Sequence, residues 1–546
     1  MPLRLLYHRM GLHRYSKKPS GFAARHCPAA TILLFIAISF SCGRVPSIPE
    51  NAFRMNIGTE PPSLDWALAT DSASIIVLEN IMEGLTQFDN NMTPTPALAE
   101  SWTISEDGKT YTFRIREGVR WSDGAPLTAQ HFVDGWRRLL DPSTAAEYAY
   151  FLYDVENAES FNQGRIRDFS QVGVKAEDSR TIVVRLRKPL VYFPALTTFT
   201  ATYPARLDVI NRWGDNWTEP QHIVTLGPYR LKSWRHEYKI SLEANPNYYA
   251  GPPPLKSVIM YMVEETNTAL DLYESRALDY VSIPTYAIPF FKSRSDYRQL
   301  PFLSGYYYAF NTTRPPFDNP LARRAFSMAI DRSVLPKILN DSVVPASSWI
   351  PPGLLGHSPG IGMKFDPRQA RQLLKEAGYN SPSSIPPITL AYNTNDTHKL
   401  VAENIKEQWK TNLGVDVHLD NMEWKVFLQL IKTNPPQIFR LGWNADYPDP
   451  DNFMAVFLSN SGNNHSRWAN ARYDRLVGLA AAEPNPEKRR EYYYSAQRLL
   501  TEEDCVIAPL FFASLNRLVS PRVDKLDLNI MDILFLKRLM IKGGRL

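Results

Sequence analysis

The chain has 546 residues, 44% hydrophobic and 21% charged, with 43 prolines against 26 glycines. This excludes a disordered or fibrous chain, and it exceeds one hydrophobic centre, since cores stop growing near about 250–300 residues, so more than one lobe is expected. The net charge of +5 does not indicate nucleic acid, because Arg4, Arg9, Arg14, Lys17, Lys18 and Arg25 lie in a leader with no acid and the remainder carries −1.

That leader is the first element in chain order. A cationic stretch precedes the apolar run Ala29 to Phe40, and Ser39-Phe40-Ser41 stands before Cys42 and Gly43, the layout of a secretory signal over residues 1–41. The run is shorter than the roughly 17–25 residues that span hydrocarbon. The site resembles a bacterial lipobox, although Phe40 occupies a position usually held by a small residue. The resemblance makes Cys42 the expected lipid attachment site, an anchor and not a span; the alternative is a free cysteine after simple cleavage. Of three cysteines only Cys505 then belongs to the folded body. No internal disulfide is expected, and Cys505, in an apolar stretch, reads as a packed, unreactive thiol.

Beyond the leader, Thr110 to Arg116 alternates apolar and polar residues behind the turn Glu106-Asp107-Gly108-Lys109, which predicts a half-buried strand with its aromatic side inward. Thr128 is placed as the cap of a helix whose Phe132, Val133, Trp136, Leu139 and Leu140 share one face. Ile182 to Arg187 repeats the strand pattern, so this region reads as an α+β lobe. Gly305 to Asn311 and Val506 to Phe512 both look like buried strands. They are candidates for two crossings between lobes, with ordinary core strands of one sheet as the alternative. Asn319-Pro320, Asp366-Pro367 and Asn485-Pro486 each place a capping side chain before a proline at the first helical position. A helix from about His398 to Leu413 stops at Gly414, and Val415, Val417 and Leu419 follow at strand spacing, which predicts a second, α/β lobe.

Several motifs hold together in order and spacing. Pro96-Ala97-Leu98-Ala99-Glu100-Ser101-Trp102, Ser105 to Phe113, and Trp121-Ser122-Asp123-Gly124 are followed by Gly227-Pro228-Tyr229, Ala329-Ile330-Asp331-Arg332, Tyr392 to Asp396 and Trp443-Asn444-Ala445-Asp446-Tyr447. Together they resemble the extracellular solute-binding proteins of the peptide/nickel family, and within it the oligopeptide-binding lipoproteins of peptide ABC transporters. The resemblance implies an α/β fold: a two-lobed periplasmic-binding-protein clamp of type II, with an extra α+β domain in the first lobe and a two-strand hinge. It implies a first lobe of residues 43–71, 201–304 and 510–546, an extra domain of 72–200 and a second lobe of 305–509. The implied function is capture of short oligopeptides between the lobes and delivery to an ABC permease and its ATPase. The implied protein is exported, monomeric, lipid-anchored to a bacterial membrane, without a cofactor or nucleic-acid partner, and not an enzyme.

A receptor for many peptides should grip the ammonium, the amides and the carboxylate and ignore the side chains. By the resemblance, Asp446 takes the ammonium, since a desolvated charge must be paired; without it, Asp446 reads as a turn cap. Gly442 and Asn444 are the expected strand edge for the amides, with Trp443 as a wall, and Tyr148 offers a hydroxyl from the extra domain. For the carboxylate the candidates are Arg440 and His398, with Lys432 nearby. Other readings of the same fold are a receptor for a dipeptide, a cell-wall peptide, a metal chelate or haem. A hydrolase using Asp446, Asp449 and Asp451 is the remaining rival; these acids crowd one proline-broken loop, which disfavours a facing catalytic pair. No compact His/Cys cluster suggests a metal.

Overall fold

The computed structural model describes residues 51–542, so the expected signal peptide and Cys42 lie outside the described residues. Strand β1 (Ala52–Asn56) leads to helix α1 (Ser72–Ile81), which begins where the Asp71 carboxylate accepts from the Ser74 N–H at 2.9 Å. Between them Asp65 is buried and accepts both arms of the Arg138 guanidinium at 2.7 and 2.5 Å. A fork geometry of this kind ties the entry segment to a distant helix.

β2 (Ala99–Ile104), β3 (Thr110–Ile115), helix α2 (Ala129–Leu140, which carries Arg138), β4 (Val174–Ala176) and β5 (Thr181–Arg185) come next. The strands form an antiparallel sheet in the order β2–β3–β5–β4. Alternation works as expected, with Tyr111, Phe113 and Ile115 of β3 buried. On α2 the same five apolar residues expected on one face are buried. The expected strand at Ile182 ends two residues early, at Arg185, and Leu186 continues it only as an isolated bridge to Val155.

The strands that join β1 in the large sheet are β6 (Tyr229–Arg235), β7 (Lys239–Ala244), β8 (Ser257–Tyr261), β9 (Tyr280–Ser282), β10 (Tyr297–Phe310), β11 (Ile388–Asn393), β12 (Val417–Met422), β13 (Ile438–Asn444) and β14 (Ile507–Val519). With β1 they make one mixed sheet, β12–β11–β13–β10–β14–β9–β1–β8–β7–β6, and the short strand Val343–Pro345 pairs with β14 beside that path. Helix α3 (Asp396–Leu413) joins the parallel pair β11 and β12; Asn395 caps it and Gly414 ends it at φ 75°. Gly227 is needed for close approach: its N–H donates to Ile81 O at 2.8 Å, and an added Cβ would lie 2.4 Å from Ile81 C.

The two stretches expected as crossings are neighbours, paired antiparallel as β10 and β14. The late part of β14 pairs with β9 on one side and with the early part of β10 on the other, whereas Ser304 to Phe310 of β10 pairs with β13. The ladder between them shifts register between Pro301 and Gly305 and again between Tyr306 and Tyr307, where bulges add local twist. The three Asx-Pro helix starts all carry the expected caps. Arg332 is buried and donates from Nε to Pro509 O at 2.6 Å, so that motif residue braces β14. Cys505 is buried, and desolvation pushes its thiol up to about 11. Among the described residues no helix is long and apolar enough to cross a membrane, and no group of three or more His, Cys, Asp or Glu gathers to hold a metal.

Candidate functional site

The site is built on β13. On one side β13 pairs with β10 from Ile438 to Asn444, with Gly442 opposite Tyr306, Trp443 opposite Gly305 and Asn444 opposite Ser304. On the other side its pairing with β11 covers only Ile438 and Phe439. Arg440 to Asn444 therefore has one edge without a strand partner among the described residues, and an unpaired edge is a template for an added strand. Gly442 has no room for a side chain, because a Cβ would meet Gly305 O at 2.9 Å. Trp443 is half-buried and donates its indole N–H to Asn452 Oδ1 at 2.7 Å. Asn444 is exposed and lines a cavity of about 400 Å³.

Asp446 lines the same cavity, together with Tyr148 and Phe199, Phe302, and Glu79 on α1. Its backbone N–H donates to Asn452 Oδ1 at 3.1 Å, so one amide oxygen fixes both Trp443 and the loop that carries Asp446. The Tyr150 hydroxyl donates to Asp446 Oδ2 at 3.3 Å. Desolvation pushes the Asp446 carboxyl up to about 6, while hydrogen bonds from Asn452, Tyr150 and Tyr148 hold it lower than burial alone would. No cation partners this carboxylate among the described residues. Tyr148 stacks edge-on against Phe199, with ring centres 4.7 Å apart, and its hydroxyl is raised by burial and then by the Asp446 charge.

Arg440 lies six residues before Asp446, a separation of at most about 20 Å at strand rise. Its guanidinium sits 4.5 Å over the Tyr306 ring, Nη1 donates to Asn393 Oδ1 at 3.3 Å, and Nε is buried without a hydrogen-bond partner. No carboxylate pairs with it among the described residues. His398 joins this group, with Nδ1 3.4 Å from the Tyr306 hydroxyl. It does not supply the positive charge expected of it: burial, and then the Arg440 charge, pushes it down to about 3, so the ring is neutral. Lys432 is exposed and does not line the cavity.

The other two acids of the loop are spent on the fold. Arg489 grips Asp449 with both arms, at 2.9 and 2.7 Å, and Asp451 accepts from the hydroxyls of Tyr192 at 2.6 Å and Tyr447 at 3.2 Å. Neither lines the cavity. Asp446, Asn444 and Tyr148 are thus brought together, Arg440 and His398 form a second group further along the strand, and Trp443 supports the loop from behind. Tyr150, Asn452 and Glu79 are absent from the sequence reading. The first sits two residues from Tyr148 in a 3₁₀ helix, Glu147–Leu152, with the two ring centres 5.8 Å apart.

The family model for bacterial extracellular solute-binding proteins, family 5 (middle region), matches residues 93–465. The chain is 35% identical over 488 residues to an oligopeptide-binding protein, OppA, of Bacillus subtilis (strain 168), covering 86% of this chain and 89% of the relative. It is 32% identical over 513 residues to a protein of Escherichia coli (strain K12) named "Probable deoxycholate-binding periplasmic protein YgiS", covering 91% and 95%. Among solved structures it is similar to the unliganded open form of MppA, a periplasmic murein tripeptide binding protein, with a TM-score of 0.79 and 31% identity, covering 90% of this chain and 98% of that one.

Proposed function

Because the chain belongs to the bacterial extracellular solute-binding proteins, family 5, we propose that it captures short peptides in the chamber beside Asp446 and hands them to an ABC permease. One observation carries this reading: among the described residues, a desolvated carboxylate without a cation, a strand edge without a partner and an arginine without a carboxylate follow one another from Asp446 to Arg440. Ammonium, amides and carboxylate of an extended peptide present the matching groups in the same order. Asp446 takes the ammonium, with Tyr148 and Tyr150 holding its oxygens. Gly442 and Asn444 pair the amides, Trp443 braces the loop from behind instead of forming the expected wall, and Arg440 takes the carboxylate with His398 as a neutral hydrogen-bonding neighbour. At about 3.3 Å per residue, a span of no more than about 20 Å limits the peptide to roughly six residues.

In this reading residues 43–71, 201–304 and 510–546 form one lobe, with 72–200 as its added domain, and 305–509 form the other. β10 and β14 are the hinge, flexing at their register shifts. Cys42 carries a lipid anchor after removal of residues 1–41, the protein works as a monomer, and it performs no catalysis. A bile-acid reading finds less support, because four acids and one base line the cavity and an anion would meet like charge. The experiment is native mass spectrometry of ligand retained through purification, followed by release. Intact peptides of two to about six residues support the reading, given the span above; a sterol, haem or metal chelate overturns it.

A further inference from the structure

The chamber wall holds more acids than its cations pair. Glu79, Glu83, Asp446 and Asp532 line it against Lys537. Lys537 Nζ lies 2.6 Å from Glu83 Oε1, and Arg517 pairs with Asp532. In the peptide reading, Asp446 receives the ligand ammonium. Glu79 remains. It shares the cavity face of α1 with Ile75 and Ile76, and its carboxylate makes no hydrogen bond or ion pair among the described residues. Close by in sequence, Glu83 is 5% exposed and its Oε2 is buried without a partner, so the wall strands one acceptor beside the half-buried Glu79. A carboxylate withdrawn from water without a partner is costly, and an arriving cation removes that cost. A neutral side chain does not, and an acidic one adds repulsion.

Resting on the peptide reading above, we infer that Glu79 makes the chamber selective for peptides that carry a cationic side chain, lysine or arginine, which Glu79 pairs while Asp446 holds the amino terminus. Burial and the Asp532 charge push the Glu79 carboxyl up to about 8, the direction expected of an acid that lacks its counterion.

The test is calorimetry on ligand-free protein. The probes are tri-alanine and tripeptides with lysine, or its neutral isostere norleucine, at each position in turn. For at least one position, lysine should bind about tenfold or more tightly than norleucine, and Glu79→Gln should bring that ratio to about one. A wild-type ratio near one at every position overturns the inference without needing the variant. So does a ratio that survives in Glu79→Gln. Tri-alanine separates the two readings: if wild-type protein binds it but shows no lysine preference, only the role of Glu79 fails. If no tripeptide binds, the peptide reading fails and takes this inference with it.

Discussion

The Tyr150 hydroxyl donates to Asp446 Oδ2 at 3.3 Å across 296 residues of sequence, so the charge at the centre of the site is held from two distant parts of the chain. Tyr150 is 47% exposed, and removing its hydroxyl should leave the fold intact. Tyr150→Phe takes away a bond that favours the ionised acid, so the Asp446 carboxyl should titrate above its present value of about 6. Carbon-detected NMR titration of ligand-free protein reads this directly, and an unchanged or lower midpoint contradicts it.

Glu79 gives stability a pH dependence. Its carboxyl rises from 4.5 in a free chain to about 8 in the folded one. Below the lower value both states hold the proton and there is no penalty. Between the two values the folded state keeps a proton that the unfolded chain has released, so this contribution to stability is lost as pH rises, by at most about 1.4 kcal/mol per pH unit. Glu79→Gln should therefore gain melting temperature over wild type at pH 8.5 and show a smaller gain at pH 5, measured calorimetrically without ligand. Equal differences at both values would show that the acid is not desolvated.

Arg440 should discriminate the far end of the ligand. With Nε unsatisfied and no carboxylate partner among the described residues, it can give a peptide carboxylate a charge-assisted bond. Amidating a peptide of about six residues, long enough to reach Arg440 from Asp446, should weaken binding by about 2–5 kcal/mol in wild type and by much less in Arg440→Met. The same amidation loss in both proteins would assign the carboxylate to another residue.

The acids that flank the site should behave differently from Asp446. Arg489→Met leaves buried Asp449 without its fork and should cost about 3–5 kcal/mol of stability. Where the variant still folds, its peptide affinity should stay near wild type, because neither residue lines the cavity. A variant with full stability and lost affinity would reverse that division.

That division also marks the limit of what the chain reveals unaided. Asp446, Asp449 and Asp451 stand within six residues and are alike on paper; Arg489 and Tyr192, from far along the chain, claim two of them and leave the third. Family resemblance singled out Asp446, and local pattern did not. By contrast α2 and β3 were legible because their periodicity depends only on which side faces a core. β10 and β14 were legible as buried strands, but their pairing with each other is a long-range property. Glu79 was invisible for the same reason: a glutamate on a helix is ordinary until its surroundings prove to hold no partner. His398 was expected to bring a positive charge and is instead neutral, since its burial, and then the Arg440 guanidinium beside it, are products of folding.

The central claim is that Asp446 grips a free amino terminus, and a double-mutant cycle tests it most directly. Affinities of a tripeptide and its N-acetyl form are measured by calorimetry for wild type and Asp446→Asn. Acetylation should cost wild type about 2–5 kcal/mol, and Asp446→Asn should lose most of that difference. Wild-type protein that binds both forms equally, or an acetylation penalty that is undiminished in Asp446→Asn, would contradict the account.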